Sequence, residues 1–561
     1  MSKLNDNSIT IYDAMMNIQK GRYVMPAFQR QFEWDMSRIE KLWDSILLDY
    51  PISTFLFWKV DQNNITADTY FCEFIHKIQF DSRKMPDDVN FKTITIDTNI
   101  TDIAILDGQQ RLTSLFITLF GDTVIRPKNA RKSSGNCIVT KLLIELDKNR
   151  VEIDEEYNNK KYDISFTTKV GKLSPTQFEL KNILNDNFKD ISKRENAIEQ
   201  ATRFVSSNSK DYAKEILRKL CKKIYEERLI RYTEIIDMNQ DDALEMFIRF
   251  NNGGKRLLKS EITMSIFEAY WPRSRTQIGK LLSDKYQKFG TDFIVRTALM
   301  LYGDVIKSTI NKKVAENLKN EWDNFKDMLH KLECLLTSWK IDISRFANSW
   351  NVLIPLAYSI YYNPEYMENE KPMKAYLIRA ILFGYFRSGT TSKLQQMKSN
   401  INHFDFSITY EMLDQIYELK VTNYKIEDIV LAEKGSRVAG EVLYYLGINW
   451  IKDLPYEQDH LHPTARFDES KPIKVSFEDW RNWRSMRNQL PNVHLLYGRE
   501  NASKGEMSLL DYYNEMDVNE QEKFNQKAFI PQDVSLSIDE FGAFFEKRKK
   551  ILIDKIKELL S

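Results

Sequence analysis

Apolar positions along this chain change their period from region to region and divide it into three parts. From Tyr23 to about Glu261, short apolar runs of strand length alternate with stretches that repeat at helical spacing. That alternation predicts a mixed α+β region. From about Ile262 to Asn449 the helical period runs almost unbroken, with aromatic residues throughout. From Pro455 onward, short polar-rich segments lead to a closing helix. Its residues Phe541, Phe545, Leu552, Ile556 and Leu559 share one face, with Lys547–Lys550 across the other. The expected domains are therefore 1–265, 266–440 and 441–561.

Local signals sharpen several elements. Ser37 and Glu40 have the spacing of a capping box, followed by Ile39, Leu42, Trp43, Ile46 and Leu47 on one helical face. Pro51 ends that pattern, and Ile52–Val60 reads as a buried strand. Ile103–Leu106 reads as a second strand, running through Asp107-Gly108 into a helix that buries Leu112, Leu115, Phe116 and Leu119. Leu229–Ile235 is a third strand, and Asp241–Asn251 a helix stopped by Asn252-Gly253-Gly254. The polar stretches Asp61–Thr101 and Asp122–Ser134 read as long loops or insertions.

Composition supports a helix-rich, multidomain protein. Among 561 residues there are only 18 Gly and 14 Pro, well below the usual shares of ~7% and ~5%. Lys plus Arg number 81 against 80 Asp plus Glu, which argues against a uniformly basic coat but leaves room for a local basic cleft. The four cysteines form no C-x-x-C pair, so neither a zinc ribbon nor a disulfide framework is expected, and the reducing cytoplasm fits. The N-terminus lacks the apolar stretch of a signal peptide, and no apolar run approaches the ~18–20 residues of a membrane span. Three of the six histidines fall between His460 and His494.

Three polar clusters stand at element ends in the first part. Asp107-Gly108-Gln109-Gln110-Arg111 joins a strand to a helix, where unpaired backbone N–H groups and the positive end of the dipole make an anion site. Gly108 permits close approach of backbone to a phosphate, Arg111 has the fork for a bidentate contact, and Asp107 is suited to a metal ion or a water. The same pentapeptide also reads as a common Asp-Gly turn with a solvated arginine. Upstream, Gln29-Arg30 sits within the frame Pro26, Phe28, Phe32 and Trp34; downstream, Arg249 and Asn251 lie just before Gly253-Gly254. Each alone reads equally well as surface beside core aromatics, or as a glycine-stopped helix.

Taken together and in order, Pro26-x-Phe28-Gln29-Arg30-x-Phe32-x-Trp34, Asp107–Arg111 and Phe247-x-Arg249-x-Asn251-x-Gly253-Gly254 resemble the N-terminal domain of GmrSD-type modification-dependent restriction enzymes. The resemblance implies a fold like that of ParB and sulfiredoxin. It also implies binding or hydrolysis of a nucleoside triphosphate (GTP or ATP) by Gln29, Arg30, Asp107, Gly108, Gln109, Gln110, Arg111, Arg249 and Asn251, with Asp107 in the catalytic role.

A second group occupies the third part: Asp459-His460-Leu461-His462-Pro463, then Asn492-Val493-His494-Leu495-Leu496, then Asn501-x-x-Lys504-Gly505. Phosphodiester hydrolysis needs a neutral imidazole to take a proton from water and a cation to offset phosphate charge. Asp and Asn oxygens are hard donors suited to Mg²⁺. A lone Asp-His pair is more often a solvated loop, and the His-x-His pair lacks the further ligands of a zinc site. The ordered set resembles the His-Asn-His, or ββα-metal, nuclease domain of single-chain GmrSD-like proteins. That resemblance implies His460 as general base, Asn492 as a second residue of the catalytic set that holds the loop or orients His460, Asp459 and Asn501 as ligands of Mg²⁺ or Mn²⁺, and Lys504 as a phosphate contact. Nearby Trp480, Arg481, Arg484, Arg487 and Arg499 make a basic surface interleaved with aromatics, suited to DNA and open equally to a reading as scattered surface charge.

The expectation is a cytoplasmic antiphage endonuclease that nicks DNA, modified phage DNA being the implied target. One such site cuts one strand, so a double-strand break needs a homodimer or a second event. The rival readings are a sensor of modified DNA or nucleotide whose nuclease domain is inactive or acts with a partner effector, and a nucleotidase whose nuclease acts on RNA.

Overall fold

The apolar runs of the first part become the central strands of one sheet. The structure, a computed structural model, describes residues 3–65, 69–87, 91–127, 137–148, 160–167, 173–252, 259–283, 286–305, 310–450, 456–497 and 504–561. Two units form, Met1–Gln277 and Ile278–Ser561. The boundary expected near 265 lies close to their junction; the one expected near 440 falls inside the second unit.

In chain order the strands of the first unit begin with β1 Lys3–Ile9, β2 Tyr23–Pro26, β3 Phe55–Lys59 and β4 Phe71–Cys72. Then come β5 Lys77–Phe80, β6 Thr93–Ile94, β7 Ile103–Asp107, β8 Asp122–Ile125 and β9 Ile138–Thr140. β10 Leu142–Glu145, β11 Ile164–Phe166, β12 Gln177–Glu179 and β13 Ile230–Ile236 complete the unit. The main sheet is mixed and runs β1-β13-β3-β7-β2-β4-β6, while two three-stranded sheets, β5-β8-β9 and β11-β10-β12, stand beside it. Short strands therefore occupy both stretches read as loops. They are too short to show a period, and pairing with neighbours makes them strands.

Helices Ile11–Gln19, Met36–Leu47 and Gln109–Leu119 pack on one another beside the sheet. Trp43 and Trp58 are wholly buried, and each indole N–H has an acceptor: Thr118 Oγ1 at 3.0 Å and the Met238 carbonyl at 2.8 Å. Satisfying that single polar atom lets each ring contribute the full burial of a large side chain, about 2–3 kcal/mol. The capping box at Ser37 is not formed. Asp35 is the N-cap, its carboxylate accepting from Arg38 N at 2.7 Å. Glu40 instead turns inward, accepts from Phe166 N at 3.0 Å and pairs with Lys160 at 2.8 Å, tying this helix to β11.

Among the described residues, the second unit is helical apart from one antiparallel pair of strands, β14 Tyr456–His460 and β15 Val493–Tyr497. Its closing helix, Phe541–Leu560, packs against helices Glu370–Leu382, Asn423–Val430 and Arg437–Gly447. Arg548 lies within the basic run Lys547–Lys550 across from the apolar face, yet it is completely buried. Its guanidinium donates to the carbonyls of Ala528, Leu490 and Val493 at 2.9–3.0 Å. Those carbonyls belong to the end of helix Val518–Ala528, to the turn Leu490–Asn492 and to the start of β15, so one cation replaces the water they would otherwise need.

Candidate active site

In the first unit, Asp107 ends β7, an interior strand of the main sheet, just after a register shift. Leu56 pairs with Asp107 but Phe57 with Ile105, a bulge at Leu106. The Gln29 amide, almost fully buried, donates to the carbonyls of both Ile105 and Leu106, at 2.9 and 2.8 Å. Gln110 accepts from Glu33 N and donates to the Gln31 carbonyl, both at 2.9 Å, and to Gln109 Oε1 at 3.1 Å. Phe28 meets Phe247, ring centroids 5.4 Å apart, and the helix Gln240–Asn252 packs on β7. Segments more than 200 residues apart in sequence are thus one cluster in space.

Within it the side chains divide into two kinds. Arg111 is spent on structure: it donates to the carbonyls of Ile52 and Thr54 at 2.5 and 3.1 Å, pairs with Asp107 at 2.9 Å and lies over the Phe55 ring. Burial pulls its pKa down, and Asp107 opposes that pull. Gly108 has φ +91°, and a Cβ there would stand 2.1 Å from the Phe55 ring. Arg30 and Arg249 keep their head groups partly or largely in solvent, each with one carboxylate, Glu33 and Glu245. Gln109 is buried at 3% exposure, and its Nε2 donor has no partner among the described residues. A cleft of about 900 Å³ lies elsewhere, lined by Ser8, Thr54, Arg228, Arg231 and Tyr232 among others, and its walls carry none of the three motifs. The Asn251 side chain and Gly253-Gly254 lie outside the described residues.

In the second unit, β14 presents Asp459 and His460 at its end, opposite His494 and Val493 of β15. Asn492, wholly buried, staples the turn before β15: its Oδ1 accepts from His462 N at 2.9 Å, and its Nδ2 donates to the carbonyls of His462 and Arg487 at 3.0 and 2.7 Å. Asp459 Oδ2 lies 2.6 Å from the Lys504 ammonium and 3.7 Å from His494 Nε2, the latter beyond hydrogen-bond length. Although burial alone would raise it, these neighbours hold the Asp459 carboxyl far below the usual carboxylate range.

His460 has a partner at each ring nitrogen. Lys434 Nζ stands 3.2 Å from Nδ1, and Asn488 Oδ1 3.0 Å from Nε2. An ammonium can only donate, so Nδ1 is the acceptor and Nε2 carries the proton. Burial and then Lys434 lower the His460 pKa, keeping the imidazole neutral near pH 7. His462 and His494 are fully buried, and desolvation pushes them down to about 3 and about 4. His462 meets Phe541 and Phe544 edge-on, so it packs rather than reaches the site.

Lys504 is wholly buried against Asp459 and the His460 carbonyl rather than facing solvent. Arg484 and Arg487 both pair with Asp468, at 3.2 and 2.9 Å. Asn501 and Arg499 lie outside the described residues. No three His, Cys, Asp or Glu side chains gather as a metal cluster among the described residues. The donors at hand still suit a hard cation, since an ionised carboxylate and a backbone carbonyl already hold a positive head group.

Residues 11–268 match the family of the GmrSD restriction endonuclease, N-terminal domain. The whole chain is also 23% identical to the uncharacterized protein MJ0686 of Methanocaldococcus jannaschii, with 100% of each chain covered. The match over residues 11–268 spans all three N-terminal motifs, from Pro26 to Gly254.

Sequence reasoning missed three residues. In the first unit Arg275 donates to the Gln29 carbonyl at 2.6 Å, and its own backbone N–H is held by Glu268. At β14, Lys434 and Asn488 frame His460. None belongs to a motif, and only Asn488 had a signal, its place four residues before Asn492.

Proposed function

We propose that this chain is a DNA endonuclease of the GmrSD-like restriction type. A nucleotide-binding N-terminal region regulates a metal-dependent His-Asn-His nuclease at β14–β15. The observation that carries the nuclease assignment is the adjacency, at the end of β14, of Asp459 and His460, whose Nδ1 is the acceptor opposite Lys434 and whose Nε2 faces Asn488 Oδ1. The match of residues 11–268 to a restriction-enzyme domain supports DNA as the substrate.

His460 takes a proton from the attacking water at Nδ1, which needs Lys434 to shift from its resting position. Asn488 keeps the opposite nitrogen protonated and sets the ring's orientation. Asn492 holds the turn that joins both to β15. Asp459, with Asn501, would hold Mg²⁺ or Mn²⁺. Such an ion, when bound, offsets charge on the scissile phosphate and leaving oxygen. Arg484 and Arg487 serve DNA phosphates once released from Asp468. The nucleoside triphosphate binds at the N-terminus of the Gln109–Leu119 helix. Gln109 Nε2, without a partner among the described residues, would donate to it, and Arg30 and Arg249 would turn to it from Glu33 and Glu245, with Asp107 in the catalytic role. Modified phage DNA is the proposed target, and nicking the proposed product.

Supercoiled plasmid with Mg²⁺ or Mn²⁺ tests the reading. A nicked band that disappears in His460→Ala supports it; equal nicking by both proteins overturns it. RNA in place of plasmid tests the rival substrate. Nucleotide hydrolysis that survives His460→Ala but not Asp107→Ala would assign the two activities to the two regions.

A further inference from the structure

Two oxygens at the end of β14 converge on one point. Lys504 Nζ lies 2.6 Å from Asp459 Oδ2 and also donates to the His460 carbonyl. The Lys504 side chain has 0% exposure, against 15% for Asp459. Removing an ammonium from water is costly unless oxygen donors replace its hydration, and here a carboxylate and a carbonyl do so. The same two donor types make up a hard divalent-cation site. Two cations cannot share it, because like charges at such separation repel strongly in a water-poor setting.

The geometry points to Lys504 as a tethered cation that fills this oxygen niche at rest and is displaced when a divalent ion takes Asp459. This rests on the reading of Asp459 as a metal ligand. The niche is kept satisfied from within, so Asp459 never stands as a buried, unpaired charge. A displaced ammonium on its four-carbon stem becomes available to a phosphate oxygen, so ion binding and phosphate capture are linked.

The test uses full-length protein and Mn²⁺ alone, with free Mn²⁺ read by electron paramagnetic resonance. Lys504→Gln removes the competing charge and should bind Mn²⁺ on the order of tenfold more tightly than the unaltered protein. Lys504→Arg keeps the charge and should not. If Lys504→Gln binds no more tightly, or both variants tighten equally, the proposal is overturned. In the unaltered protein, acylation of Lys504 followed by mass spectrometry should rise as Mn²⁺ saturates. Unchanged labelling at saturation overturns the proposal even where the variants fail to fold. Asp459→Asn separates the two levels: if it leaves Mn²⁺ binding intact, Asp459 is not a ligand, and the nuclease reading of this site fails with the proposal. If it abolishes binding while Lys504→Gln changes nothing, only the tethered-cation proposal fails.

Discussion

The ammonium of Lys434 lies 3.2 Å from Nδ1 of His460, across 26 residues of chain. A fixed positive charge so close disfavours the imidazolium and adds to the effect of burial. Replacing Lys434 by Gln should therefore raise the His460 pKa toward 6.5. NMR titration of the His460 ring in metal-free protein reads the shift directly. A pKa that stays put or falls would show that Lys434 does not set the charge state.

The two buried histidines should make the second unit acid-labile. His462 and His494 fall to about 3 and about 4 in the folded chain, below the unfolded value of 6.5. Below pH ~6.5 the unfolded state binds protons that the native state refuses, so stability is full above that pH and declines toward pH 4. Each histidine adds a slope of up to ~1.4 kcal/mol per pH unit. Urea midpoints between pH 7 and 4.5 should follow that decline. In His462→Phe the slope should shrink by about one proton's worth.

Arg548 should be hard to shorten. Arg548→Ala leaves the carbonyls of Leu490, Val493 and Ala528 without their donor and opens a cavity beside them. A loss of about 3–5 kcal/mol is expected from orphaned buried polar groups and the cavity together. Arg548→Met fills more of the space and should recover part of the loss. Denaturant melts that show less than about 1 kcal/mol for Arg548→Ala would contradict this role.

Gly108→Ala meets two obstacles at once, a left-handed φ of +91° and the Phe55 ring 2.1 Å from the new Cβ. A cost of about 2–4 kcal/mol is expected from strain and overpacking. Phe55→Leu in the same chain removes part of the clash and should restore some stability, seen as a rise in the thermal midpoint. The glycine thus serves the packing of the strand-to-helix turn whether or not an anion binds there.

Legibility differed between the two sites. Strand β7, the turn at Gly108 and the helix behind it follow from local pattern, since strands and amphipathic helices declare themselves by period. The strands β4, β5, β6 and β8 did not, because two to four residues carry no period and gain their conformation from partners. At the nuclease-like site, Asp459, His460 and Asn492 were legible as a motif. Lys434 and Asn488 were not, because their relation to His460 exists only after the chain returns to β14.

By itself the sequence determined the order of mixed and helical regions, the three N-terminal motifs and the histidine-bearing C-terminal set, because each is written in local spacing and residue type. Tertiary structure alone decided what the charges do. Arg111 and Arg548 look like free cations in the sequence, yet backbone carbonyls brought from distant segments consume them. The family resemblance implies Lys504 as a phosphate contact, and in the fold it is buried on Asp459. A charged side chain is read by what surrounds it, and burial, dielectric and partner are properties of the folded chain.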